Sequence, residues 1–490
     1  MVNVALPAIR AELDTGLAAQ QWIVEAYLLT VGALLMLGGS LGDLLGRRRV
    51  FSAGLIGFAL TSLLCALAPS PATLVAGRAL QGVAGALLVP SSLAIISAAF
   101  PPEERGSAIG SWSAWTGVAF ILGPLAGGAL IDLVSWRWIF AINVPLVAIC
   151  LLLVRWVPRE AGTGSLREVD LPGAVLGALA LAGPVYALIE QPVAGWSAPR
   201  VWAPLAAGGV FAAAFLAWEA RTPRPMLPLG VFANRNFAVG NLATLAIYGA
   251  LGIVTFLVTI HLQQVAGWSA TAAGSSLLPI TVVMWLLSRQ FGRLSDRIGP
   301  RLLMGLGPLV AGAGMLWMAG AGGSVDYPRD LLGGVLLFGL GLAATVAPLT
   351  STVLGAVDPA RAGVASGANN AIARVAALLA IAAIGAVVGG RFAHELDTRA
   401  AGLELTRTER VALEELRTLP LAGDSPAAPR LREAVREASV AAYGWGVTGG
   451  ALLMVAGGLI SLVGIVNPPH VRAGHREAAS SPPVAQPLAE

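Results

Sequence analysis

The stretch Gly39-Ser-Leu-Gly-Asp-Leu-Leu-Gly-Arg-Arg-Arg-Val50 decides the fold. It closes one long apolar run, 21–45, and opens a second, 50–68, with only a tight turn between them. Gly39, Gly42 and Gly46 let the chain reverse in a narrow space. Asp43 is placed to face a helix N-terminus or an arginine, and Arg47, Arg48 and Arg49 suit the headgroups of an anionic leaflet. Two apolar arms around a cationic turn form a membrane hairpin.

The rest of the chain repeats this design. Of 490 residues, 56% are hydrophobic and 12% charged, and mean hydropathy is +0.76. Glycine and proline interrupt the apolar runs more often than charge does, as a lipid-solvated helical bundle requires, because each backbone polar group in hydrocarbon must be satisfied within its own helix. Runs long enough to span continue near 72–98, 106–131, 138–157, 171–190, 201–219, 237–262, 271–291, 302–320, 330–356, 362–390 and 443–466. With a partial first helix at Met1-Val-Asn-Val-Ala-Leu-Pro7, about fourteen helices of ~20 residues are expected. That opening reads as the second half of a membrane helix, from a start called too late or a short first helix.

Orientation follows from the arginines, which carry all the basic charge since the sequence has no lysine. Short loops on one side hold Arg47, Arg48, Arg49, Arg105, Arg155, Arg159, Arg167, Arg221, Arg224, Arg235, Arg293, Arg297, Arg301 and Arg361, and those on the other only Arg137, Arg200 and Arg329. The positive-inside rule makes the first side, and both chain ends, cytoplasmic. A charged stretch, 391–441, then falls outside; within it Thr406-Arg-Thr-Glu409 predicts a capping box opening a short helix. The Pro-, Ala- and Ser-rich tail 467–490 reads as disordered. The net charge of +4 is ordinary for such a protein and points to no nucleic acid. Cys65 and Cys150 lie in apolar runs as small hydrophobes, with neither disulfide nor metal-ligand spacing.

Three internal features bear on chemistry. Gly42-Asp-Leu-Leu-Gly-Arg47 returns in altered form as Ser295-Asp296-Arg297-Ile-Gly-Pro-Arg301, the internal repeat of an alternating-access carrier. The fourth span places Arg78 and Gln81 one turn apart, and a charge near mid-membrane, costing roughly 2.5–3.5 kcal/mol on insertion scales, should face the interior with a partner. The fifth carries Gly117, Gly123, Pro124, Gly127 and Gly128, small residues that permit close helix contact beside a proline that bends the helix.

The 39–50 turn resembles the loop motif Gly-x-Leu-x-Asp-x-x-Gly-Arg-Arg of the major facilitator superfamily. That resemblance implies a cytoplasmic latch at Gly39, Gly42, Asp43, Gly46, Arg47 and Arg48, mirrored at Asp296 and Arg297. The Arg78 stretch looks like the superfamily's fourth-helix motif, associated with proton transfer. The Gly117–Gly128 pattern is similar to the antiporter motif of drug-exporting members. Together with Trp22-Ile-Val-Glu25-Ala-Tyr27, Trp136-Arg-Trp-Ile-Phe-Ala-Ile-Asn-Val-Pro145 and Ser366-Gly-Ala-Asn369-Asn370-Ala-Ile-Ala-Arg374, the chain resembles the fourteen-helix drug:proton antiporters, the QacA and EmrB group, over nearly its whole length. The implied fold is an all-α polytopic bundle. It has a six-helix half at 1–157 with its first helix partial, two extra helices and a linker at 158–236, and a second half at 237–466. Two departures stand out: the position that is commonly acidic in that family's first helix falls before Met1, so this sequence offers no such acid there, and the thirteenth helix carries Asn369, Asn370 and Arg374 where some members have carboxylates.

Glu25 is the acid most clearly inside a span of the first half, and desolvation there favours a form that exchanges its proton against cargo. A placement in water at the helix end is the simpler alternative. Tyr27, Gln81, Trp115, Asn369, Asn370 and Arg374 are candidate pocket residues, aromatic faces for rings and polar groups for adaptable hydrogen bonding. His261 and Arg289 are expected at the interface. The expected partners are lipid, protons and a small amphipathic substrate. The carrier is expected to be a monomer, driven by the proton gradient with no cofactor. A nutrient importer is the alternative reading. The sequence offers no nucleotide loop, ligand cluster or nucleophile with a base, so no enzyme is expected.

Overall fold

A computed structural model describes residues 1–99, 123, 125–157, 170–223, 225–357, 362–417, 420–421 and 429–467. Helix α1 (Val2–Leu13) ends where Asp14 takes a left-handed conformation (φ 50°) and leads into α2 (Leu17–Leu45). Then follow α3 (Arg47–Ala66) and α4 (Pro71–Ala99), a helical stretch 125–133, and the broken helix α5 (Trp138–Ala141) and α6 (Asn143–Val154). Next come α7 (Leu171–Ala194), α8 (Pro199–Glu219), α9 (Arg235–Gln264), α10 (Ala270–Ser275), α11 (Leu278–Ile298), α12 (Pro300–Ala319) and α13 (Gly333–Gly355). The last three are α14 (Ala362–Ala400), α15 (Arg407–Arg417) and α16 (Arg432–Gly464).

Among the described residues, 11 helices are long and apolar enough to cross a membrane, and Trp138–Val154 is a shorter apolar one. The 12-residue α1 spans about 18 Å. The predicted span 106–131 lies largely outside the described residues. Large apolar side chains such as Leu60 (64% exposed), Trp285 (77%) and Val463 (74%) cover the outer surface. Water does not tolerate so much continuous apolar surface, and lipid does.

The deciding turn is as tight as its glycines allow. Gly46 alone joins α2 to α3, at φ 95° and ψ 123°. Its counterpart Gly299 alone joins α11 to α12, at φ 87° and ψ 153°. Both conformations belong essentially to glycine. The sequence repeat is thus a repeat of backbone geometry.

Small residues bring α2 and α4 together. A Cβ on Gly82 would lie 2.5 Å from the Tyr27 carbonyl oxygen, and one on Gly38 2.1 Å from that of Ala86. The α7–α8 hairpin packs Gly183 against Gly208 in the same way. Val185 and Ile189 of α7 bury themselves with Leu378 and Ala382 of α14, against Trp22 and Leu29 of α2. Helix α7 therefore lies along the seam where an early and a late helix meet.

Two long helices run past the ends expected for 362–390 and 443–466. Hydropathy marks only the part of a helix that lipid covers, while backbone bonding continues wherever side chains support it. Here Arg399 bonds Glu395 and Glu437, and Arg417 bonds Asp397. Much of 391–441 is accordingly helical. The predicted capping box is present: the Thr406 N–H and hydroxyl each donate to Glu409 Oε2 at 2.9 Å, and Glu409 N–H donates to Thr406 Oγ1 at 3.3 Å.

Candidate functional site

The fourth span delivers Arg78 into the interior, 7% exposed, without an acidic partner among its described contacts. Its Nε donates to the Ile23 carbonyl at 3.0 Å and one Nη to Gln81 Oε1 at 2.5 Å, while its guanidinium lies 4.3 Å from the centre of the Tyr27 ring. Gln81 Nε2 donates in turn to Ser62 Oγ at 2.6 Å, which also accepts from Asn143 at 3.3 Å. The ion pair that the cost of a buried charge suggests is replaced by carbonyl, amide and ring. A planar fork fits this set, since each partner occupies a different N–H or face.

Glu25 lies two residues from Ile23, Arg78's carbonyl partner, but is bonded to none of this network. It is 0% exposed, and neither carboxylate oxygen has a hydrogen-bond partner. The alternative of water at a helix end is therefore excluded. An unpartnered carboxylate in such surroundings costs several kcal/mol. Its helix α2 packs on α3 and α4 and also on α7 and α14, so the carboxyl sits on an element shared by both groups of helices.

Bonds between those groups gather at one end of the bundle, where α1 and α9 finish and α2 and α10 begin. Arg10 donates to Gln264 Oε1 at 2.8 Å, Gln263 to the Val4 carbonyl at 3.0 Å, and Gln264 to Gln20 at 3.4 Å. Asp132 accepts from the Ala270 and Thr271 N–H groups at 3.1 and 2.9 Å and from the Thr271 hydroxyl at 2.6 Å. At this end the mouth is shut. Gly127 and Gly128 belong to the same closure: a Cβ on Gly127 would meet Met1, and one on Gly128 would lie 2.5 Å from Thr271 Cα. Gly123 has open space around it. Trp115, Gly117 and Pro124 lie outside the described residues.

At the opposite end, Gly39 and Gly42 face Pro90 and Ser91 of α4, and Arg48 bonds the Val157 carbonyl. Arg47 is half-buried, whereas Asp296 and Arg297 are exposed. Asp43 belongs to the last turn of α2, its side chain being outside the description.

The other pocket candidates do not share one surface. Asn369 Nδ2 donates to Asn241 Oδ1 at 3.0 Å and Thr244 Oγ1 at 2.8 Å, tying α14 to α9. Exposed Asn370 turns back on Ser366, and Arg374 lies close to Gly32 of α2. Tyr27 and Gln81 belong to the Arg78 network.

His261, near a helix end as expected, is enclosed by protein: it is 0% exposed, its ring stacked on Tyr443 at 3.9 Å and its Nε2 donating to the Gly322 carbonyl at 2.9 Å. Helix α9 is central to its group, so even its last turn is enclosed by protein. Sequence reasoning also passed over Ser62, Asn143, Asn241 and Thr244. Their signal was a polar side chain within an apolar run, too common among membrane helices to single them out.

An all-helical carrier architecture, with a buried charge network in one helix group and a closed mouth between the groups, is the class these features define. The chain belongs to the Major Facilitator Superfamily, whose family model matches residues 1–400. It is 36% identical over 404 residues to the puromycin resistance protein pur8 of Streptomyces alboniger, covering 81% of this chain and 79% of that one. It is 34% identical over 473 residues to the tetracenomycin C resistance and export protein of Streptomyces glaucescens, covering 93% and 86%. The multidrug resistance protein Stp of Mycobacterium tuberculosis is 34% identical over 400 residues, covering 81% and 74%. Among solved structures, a bacterial homologue of the human lysosomal transporter Spinster, inward-facing and unoccupied, matches with TM-score 0.64 at 18% identity, over 94% of this chain and 92% of that one. That likeness establishes the fold.

Proposed function

We propose that the chain is a proton-coupled antiporter that exports small amphipathic drugs, antibiotics or toxic metabolites across the cytoplasmic membrane, as a carrier and not an enzyme. Its likeness to resistance and export proteins supports the cargo and the direction. The observation that carries the coupling is Glu25, enclosed and unpartnered on a helix common to both groups. The arginine asymmetry supports an extracytoplasmic position for the closed mouth and a cytoplasmic one for both chain ends. We read the protein as a monomer divided at about 157 and 236, with Tyr27, Gln81, Trp115, Asn369, Asn370 and Arg374 around the path and the 39–48 turn with Asp296 and Arg297 as latch.

In this reading a proton arriving from outside neutralises Glu25 and releases cargo, and the protonated carrier resets inward and gives the proton to the cytoplasm. Arg78 tunes the region electrostatically. One charge crossing 100 mV supplies ~2.3 kcal/mol, enough for roughly fortyfold accumulation of a neutral compound. Exchange of one proton for a monocation instead draws on the pH gradient alone.

The test is export of puromycin and of a cationic dye from cells lacking other pumps, with and without a protonophore. Export should stop with the protonophore and in Glu25→Gln, the variant remaining inserted at wild-type level. Undiminished export by Glu25→Gln removes that residue from the mechanism.

A further inference from the structure

The α7–α8 hairpin holds a second pair of groups that the transport reading does not use. Asp170 caps α7: its Oδ1 accepts from the Gly173 N–H at 2.9 Å and from the Trp218 indole at 2.7 Å. Glu219, the last residue of α8, is 3% exposed, and its Oε2 accepts from the Leu227 N–H at 2.9 Å. Each carboxyl group thus has one oxygen satisfied by N–H donors. The other oxygens, Asp170 Oδ2 and Glu219 Oε1, are buried and without a donor.

Those two oxygens face a common point. A Cβ on Gly173 would lie 2.5 Å from Asp170 Oδ2 and 2.7 Å from Glu219 Oε1, so the missing side chain leaves both oxygens in one small gap. The described arginines nearby are engaged elsewhere: Arg221 turns back on the Ala217 carbonyl at 3.5 Å, and Arg235 on those of Val463 and Gly464. The remaining described neighbours are the Trp218 indole and the backbone of Gly173, Met226 and Leu227, none of them titratable. Two carboxylates this close, with no cation beside them among the described residues, disfavour double ionisation and favour a proton on one of them. Among the described residues the gap holds only two carboxylates, fewer ligands than a metal ion requires.

We propose that Asp170 and Glu219 hold one proton between Oδ2 and Oε1, forming a proton-binding site in the inserted hairpin separate from Glu25. One carboxyl donates its O–H to the other, and the pair carries a single negative charge. The proton ties the start of α7 to the end of α8, and through the Leu227 N–H to the linker that leads into α9. Uptake and release at this site set how firmly the hairpin is fastened to the second group of helices. The site stands on these contacts alone and does not depend on proton-coupled export.

Infrared spectroscopy of the purified full-length protein in lipid tests this, in a Glu25→Gln background that removes the unpartnered buried acid of α2. The C=O band of a protonated carboxylic acid is expected at neutral pH, shifting in D2O and disappearing on alkalinisation. Adding Glu219→Gln or Asp170→Asn should abolish it, since either amide donates N–H to the remaining carboxylate and preserves the link. Absence of the band in Glu25→Gln, or its persistence in both double variants, overturns the proposal. Thermal unfolding gives an independent reading. The shared proton stabilises the hairpin at neutral pH and this contribution disappears as pH rises, so Tm of the wild type should fall on alkalinisation. That fall should be reduced in Glu219→Gln, and an unchanged pH profile in that variant overturns the proposal as well. Loss of export in Glu25→Gln bears on the coupling reading only.

Discussion

Asp132 grips Thr271 by both its backbone N–H, at 2.9 Å, and its hydroxyl, at 2.6 Å, across the boundary between the early and late helices. Gly128, one turn earlier, lies against the same residue, because only a glycine admits the Thr271 backbone there. The glycine-rich end of the fifth span therefore does more than pack: it seats one helix group on the other, and the carboxylate one turn on fastens it.

Removing the fastening should open the mouth. Asp132→Ala loses three hydrogen bonds, and a net loss of about 1–2 kcal/mol raises the ratio of open to closed forms some five- to thirtyfold. Gln20, 0% exposed beneath this closure, is the reporter. Gln20→Cys, with Cys65 and Cys150 replaced by alanine, should react faster with an impermeant maleimide added outside when Asp132→Ala is present. Equal rates exclude a latch role.

The two turn glycines should resist replacement by alanine. Alanine at Gly46 (φ 95°) or Gly299 (φ 87°) takes on a backbone conformation costing about 1–3 kcal/mol. Gly209→Ala, with open space around its Cβ in mid-helix, is the control and should be neutral or slightly stabilising. Thermal unfolding of the purified variants ranks them.

Arg78→Lys should separate charge from geometry. An ammonium cannot reach the Ile23 carbonyl and the Gln81 amide together while covering the Tyr27 ring as a guanidinium does. Export should drop at least tenfold while membrane insertion is retained, and the same should hold for Gln81→Ala, which strips Arg78 and Ser62 of a shared partner. Wild-type flux in Arg78→Lys would show that charge alone suffices.

Acid should loosen the cap helix α15 before the membrane bundle. The Thr406 N–H and hydroxyl, with Arg430 nearby, hold the Glu409 carboxyl below its ordinary value. A depressed folded value means that the contribution is complete above the unfolded carboxyl value of about 4.3 and is lost as pH falls through the folded one. Amide exchange in Arg407–Arg417, corrected for intrinsic rate, should rise over that acid window and do so less in Glu409→Gln, whose amide cannot gain or lose the proton.

The fold was legible because lipid demands long apolar helices and because Gly46 and Gly299 sit in turns that no other residue makes comfortably. The capping box at Thr406 and Glu409 was legible for a similar reason: its bonds are local in sequence. Helix ends were not, since α14 and α16 continue as protein-supported helix beyond the lipid-covered part. The site was legible residue by residue but not in its connections. Arg78 and Gln81 announced themselves one turn apart, whereas Asn369 with Asn241, and Asp170 with Glu219, are pairs that separate helices bring together.

By itself the sequence determined the membrane class, the repeated hairpin and the kinds of side chain placed in lipid, since each depends on local composition and spacing. Only tertiary structure decided that Glu25 is sealed without a partner, that Arg78 rests on carbonyl, amide and ring in place of an acid, and that Asp132 closes one mouth. Burial and pairing between helices depend on which faces meet, and an apolar helix offers several nearly equivalent faces until its neighbours select one.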